Sequence, residues 1–172
     1  MLDGTRGLTR YRSALLGRSI LQYVWMSEKQ PVAHPRWGVE FDWYGFDPAG
    51  NVAVFSSAGY GPVPLDVVDH AEALDGWYER RVLLPTLGAC AASPQEGGDF
   101  SDWIGLAERG FYGFDWKVWE GPYRRLTVPA RPATLADLPS DLRHLASLVG
   151  LDVDFSAATQ VDLAQLGIRT TS

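Results

Sequence analysis

From Trp37 the chain alternates apolar and polar positions. Val39, Phe41 and Trp43 fall between Glu40, Asp42 and Tyr44, a period of two that an extended strand sorts onto opposite faces. The turn Asp47-Pro48-Ala49-Gly50-Asn51 and the run Val52-Ala53-Val54-Phe55 complete a predicted β-hairpin. Glycines and prolines in Gly59-Tyr60-Gly61-Pro62-Val63-Pro64 stop regular structure and predict a short, stiff loop. Beyond it the period lengthens: Val67, Ala71, Leu74, Tyr78 and Val82 recur at helical spacing, predicting one helix over Leu65 to Leu83 that buries those side chains. Its charges suit the macrodipole, with Asp66, Asp69 and Glu72 early and Arg80 and Arg81 late. Pro85 ends it, residues 86–99 read as a loop, and a short helix is expected between a Ser101 N-cap and Gly110, burying Trp103 and Leu106.

Tyr112-Gly113-Phe114-Asp115 repeats Tyr44-Gly45-Phe46-Asp47, and the strand Gly121 to Val128 follows it. Identical local patterns favour identical environments, so the two strings are expected in adjacent strands of one antiparallel sheet, with Asp47 and Asp115 at strand-to-turn exits. Ser140 is placed to cap a helix before Gly150, and Thr159 with Asp162 a last turn before Gly167. Strands and helices in separate blocks make the fold class α+β, a central antiparallel sheet built from hairpins with flanking helices. The expected organisation is a basic N-terminal extension over 1–29, a single α+β domain over 30–168 and a tail over 169–172.

Charge sharpens that division. The net charge is −6, yet Arg6, Arg10, Arg12 and Arg18 stand against Asp3 alone in residues 1–25, so that segment carries +3 and the rest −9. It reads either as an amphipathic helix using Leu15, Leu16, Ile20 and Tyr23 or as a loosely attached extension, with Met26 as an alternative start. An acidic body repels phosphate backbones, which argues against nucleic acid and for basic partners. Hydrophobic residues make up 46% of the 172, enough for a core, and no apolar run reaches the roughly 20 residues of a membrane helix. With Cys90 the only cysteine, no intrachain disulfide can form, and a cytoplasmic location is expected.

Catalytic signals are weak. His34, His70 and His144 share no ligand motif, Asp152-Val153-Asp154 lacks the glycine and closing glutamate of a calcium loop, and Cys90 sits among alanines as an idle thiol. No metal, cofactor or catalytic residue is assigned. Aromatic residues mixed with acids stand out instead. Asp115-Trp116-Lys117-Val118-Trp119-Glu120 places two indoles between acids in a tight turn, an arrangement suited to a basic protein surface. The candidate partner-binding residues are therefore Asp115, Trp116, Trp119 and Glu120, with Asp47 and Tyr60.

Residues 43–64, WYGFDPAGNVAVFSSAGYGPVP, with 110–128, GFYGFDWKVWEGPYRRLTV, and Leu135 to Pro139 resemble a group of small bacterial proteins, some of them grouped with the immunity proteins of polymorphic toxin systems. The resemblance implies a cytoplasmic, non-enzymatic protein that binds and neutralises a cognate toxin, and it transfers no site residues. The alternative is a small-molecule-binding or hydrolytic enzyme using carboxylates near the Gly59–Pro64 loop. Converging carboxylates in a deep pocket would favour the enzyme, and an acidic patch with exposed tryptophan the binder.

Overall fold

The strand pattern at Phe41 to Phe46 and Val52 to Ser56 forms the expected hairpin, because Asp47 closes its turn. In the computed structural model, which describes residues 38, 40–94, 98–117 and 120–171 with the Glu120 side chain left out, all of these residues belong to one unit, Ala33–Ser172. The expectations for residues 1–37, and for Val39 and Trp119, lie outside the described residues. Strand β1 (Asp42–Phe46) pairs antiparallel with β2 (Val52–Ser56), and the Asp47 Oδ1 accepts the amides of Ala49 and Asn51 at 3.0 and 2.9 Å. Gly50, with φ of 82°, supplies the left-handed residue that the reversal needs.

The α+β class holds. Among the described residues the sheet has six strands in the order β1-β2-β4-β5-β3, with β4 at Tyr112–Lys117, β5 at Glu120–Pro129 and β3 at Cys90–Ala92, while β6 (Gln160–Val161) also pairs β5. The sheet is mostly antiparallel, but β2 and β4 run parallel, Ala53 opposite Tyr112 and Ser56 opposite Asp115. The two repeated strings lie in one sheet but not in adjacent strands as expected, since β2 stands between β1 and β4. Asp47 does leave β1 at its end, whereas Asp115 sits inside β4, opposite Arg124 of β5.

Both faces of the sheet are covered, which is why Tyr44 is as buried as Trp43 despite the alternation. On one face Trp43, Phe55 and Phe114 stack across three strands, with centroids 4.1 and 5.0 Å apart, and Phe155 closes over Phe55 and Phe114 at 6.0 and 5.6 Å. Aromatic pairs of this kind add about 0.5–1.5 kcal/mol each beyond burial. Tyr123 ties the stack to the loop: its hydroxyl accepts the Trp43 indole N–H at 3.2 Å and donates to the Pro62 carbonyl at 2.9 Å.

Helices cover the other face. The expected single helix over Leu65 to Leu83 is interrupted at Asp69–His70, giving α1 (Leu65–Val68), α2 (Ala71–Arg80) and a 3₁₀ turn (Arg81–Leu83). The break shifts the phase of the buried stripe. Val67, Leu74 and Trp77 point into the core, while Tyr78 and Val82, expected inside, are 44% and 62% exposed. Helix α3 (Ser101–Glu108) starts one residue earlier than a Ser101 cap would give, its first turn held by the Asp99 carboxylate, which accepts the Ser101 amide at 2.9 Å. It lays Trp103 over Gly113, where a Cβ would stand 2.7 Å from the indole. Helix α4 (Ser140–Ala146) buries Leu142, Leu145 and Ala146, and the backbone after it bonds Phe46 through Val149 and Leu151.

Candidate functional site

Side chains in register on neighbouring strands project from the same face, so the pairings Asp42 with Ser56 and Ser56 with Asp115 set a polar row across β1, β2 and β4 beneath α2 and α3. Three carboxylates meet there. Asp42 is bound through Oδ2 to the Arg81 guanidinium at 2.6 Å, both side chains about nine-tenths buried at 11% and 9% exposure. Glu40, exposed just before β1, accepts the Ser56 hydroxyl at 2.7 Å. Asp115 is half-buried, and burial followed by the Glu40 and Asp42 charges pushes its carboxyl up to about 6.

Burial also raises the Asp42 carboxyl, and the Arg81 charge opposes it. Among the described residues Asp42 Oδ1 and the Tyr44 hydroxyl, both shut off from solvent, have no hydrogen-bond partner. Burial holds the Tyr44 phenol well above its ordinary range.

Over this row the helices leave three adjoining clefts of about 340, 240 and 480 Å³. Carboxylates line them from three directions: Glu40 and Asp42 at the start of β1, Asp75 and Glu79 on α2, Asp99 and Asp102 at the start of α3. The lining cations are Arg81 and Arg109, and both are engaged. Arg81 holds Asp42, and Arg109 donates to the Gly105 and Val82 carbonyls at 2.7 and 2.8 Å. Six lining carboxylates against these two guanidiniums leave the groove net negative.

Of the residues assigned from sequence that are described, Asp47 lies apart from Asp115, while Trp116 packs against Gly61, next to Tyr60. Asp47 is 1% exposed at the far end of β1 from the Asp42 row, and its carboxylate is consumed by the turn and by Asn51 Nδ2 at 2.9 Å, so it belongs to the fold and not to a partner surface. Trp116 is half-buried, edge-on to Tyr123 at 5.3 Å and wedged where a Cβ on Gly61 or Gly121 would strike its ring. Tyr60 is half-buried in the loop, its amide bonded to the Ser57 carbonyl at 3.0 Å. Among the described candidates Asp115 reaches the acidic row. Trp119 and the Glu120 side chain lie outside the described residues.

Sequence reasoning missed Glu40, Arg81, Asp99 and Asp102 as a set. Its one available signal was the alternation that sets Glu40 and Asp42 two apart at the entry to β1. Two histidines without a shared motif do meet: the rings of His70 and His144 lie 5.6 Å apart. Among the described residues no group of three or more His, Cys, Asp or Glu could hold a metal ion, and no helix is long and apolar enough to cross a membrane. No protein-family model matches the chain, and no curated protein or solved structure does either.

Proposed function

We propose that this is a non-enzymatic binding protein that captures a basic protein partner on its acidic helical face, as an immunity protein neutralises a toxin. The observation that carries the reading is the groove in which carboxylates from β1, α2 and α3 converge while the lining arginines are tied to internal acceptors. Charges arranged this way steer a cationic partner and raise its association rate more than they add contact energy. The resemblance of residues 43–64 and 110–128 to proteins grouped with immunity proteins points the same way.

Asp115 favours a second reading. A carboxyl held near 6 suits proton transfer, and its neighbour Trp116 abuts Gly61 of the loop to which the enzyme reading looks. Acid–base catalysis by carboxylates, however, uses a complementary pair. Here Asp42 is engaged by Arg81 and Glu40 by Ser56, so Asp115 has no free counterpart in the row.

The test is growth rescue in cells expressing the product of the adjacent reading frame. Wild type is expected to protect, and the double charge reversal Glu79→Lys with Asp102→Lys to lose protection while melting normally. Full protection by the folded double variant, or none by wild type, would overturn the proposal.

A further inference from the structure

Tyr78 stands where the three clefts meet and lines each of them. The residue is 44% exposed although the Arg81 guanidinium covers one side of its ring, 4.0 Å from the centroid. The packing of α2 does not need it there, since Leu74 and Trp77, at 2% and 4% exposure, fill the core. Next to it Val82 and Leu83 are also open to solvent, and Val82 lines one cleft together with Glu79 and Asp102. At the cleft wall Asp42 Oδ2 is fixed by the Arg81 guanidinium, which leaves the carboxylates of Glu40, Glu79 and Asp102 around Tyr78 to face a partner.

Building on the function proposed above, we infer that the cleft at Tyr78 receives an arginine side chain of the partner, its guanidinium lying against the tyrosine ring among the surrounding carboxylates. Arginine is favoured over lysine on chemical grounds. A guanidinium is planar, weakly hydrated and carries five donors in a fixed fork, so it can stack on an aromatic face and bond several carboxylates at once. An ammonium answers the charge but does not stack, and it keeps its water. The Arg81 guanidinium already makes one such contact on the same ring, with its fork turned to Asp42.

The experiment is calorimetric titration of the full chain with capped oligo-arginine and oligo-lysine peptides of equal length, at low and at high salt. The arginine peptide should bind about fivefold tighter, the ratio that about 1 kcal/mol of exposed cation–π stacking gives. Tyr78→Leu should erase that preference while both peptides still bind, and Tyr78→Phe should keep it. Asp102→Asn should weaken both. Chemical shifts of the Tyr78 ring provide a second readout in the unmodified protein, moving with the arginine peptide and hardly with the lysine one. Equal affinities with an unmoved ring would overturn the arginine site and leave the acidic-surface proposal standing. Failure of both peptides to bind at low salt would overturn the two together.

Discussion

Replacing Arg81 with methionine should destabilise the fold severely, because it strands Asp42. Arg81 and Asp42 are 9% and 11% exposed and 2.6 Å apart, so the carboxylate was taken out of water on the condition that this guanidinium faced it. Methionine keeps the aliphatic volume and removes the charge and the stacking on Tyr78. Breaking a buried pair from one side typically costs about 3–5 kcal/mol. At roughly 3 °C per kcal/mol for a chain of this size, the midpoint should fall by roughly 10–15 °C. The loss should also depend on pH. Burial already raises the Asp42 carboxyl against the pull of Arg81, and without that pull it rises further. A carboxyl whose folded pKa lies above its unfolded value favours the fold where it is protonated and loses that advantage as pH rises through the raised value. The deficit of Arg81→Met should therefore narrow as pH is lowered toward the ordinary carboxylate range. Urea melts across pH, repeated with Asp42→Asn and with the double variant, measure it. The double variant should be more stable than the sum of the singles predicts. A single-variant loss below about 1 kcal/mol, a pH-independent deficit, or strict additivity would refute the reasoning, since each would mean that the pair is not held out of water.

Asp47→Ala should lose about 2–3 kcal/mol in denaturant melts, because the hairpin turn would leave the Ala49 and Asn51 amides without their carboxylate acceptor; partner binding by the folded fraction should not change. Gly61→Ala should cost about 1–3 kcal/mol, since the new methyl would lie 2.7 Å from the Trp116 ring; unchanged stability would mean that the indole swings aside. The Asp115 carboxyl should titrate near pH 6 by carbon-detected NMR, and because that lies above its unfolded value, its contribution to stability should diminish as pH rises through about 6. Asp115→Asn should remove that part of the pH dependence, and a midpoint near 4 would show that neither burial nor the Glu40 and Asp42 charges raise it.

What could be read from the chain was local. The Asp47 to Asn51 turn, the strands on either side of it, the start of β5 and the helical phase at Val67 and Leu74 all follow from spacing and turn chemistry within a few residues. The interruption at Asp69–His70 was not visible, because no proline or glycine marks it. A periodicity drawn straight across it put Tyr78 and Val82 inside when they are outside. The acidic groove was equally hidden. It depends on Arg81 reaching Asp42 across the fold and on Asp99 and Asp102 arriving from beyond a loop, and neither contact leaves a trace in local sequence. Of the tryptophan turn, Trp116 is among the described residues and Trp119 is not. Tyr123 and two glycines accommodate the half-buried Trp116 indole, a tertiary arrangement that local sequence does not encode.

The parallel pairing of β2 with β4 has a bearing on how the chain is made. As the polypeptide leaves the ribosome, the hairpin of β1 and β2 is complete before Tyr112 to Asp115 exist, so Val52 to Ser56 emerges with one edge open. That segment is wholly buried in the finished protein, β-branched and aromatic, and it carries no charge of its own. Unpaired edges of this composition are templates for association with other chains. Newborn copies clustered on one messenger thus pass through an interval in which the centre of the future sheet is their stickiest surface, and it lasts until Ser57 to Phe111 have been translated and looped back to deliver β4.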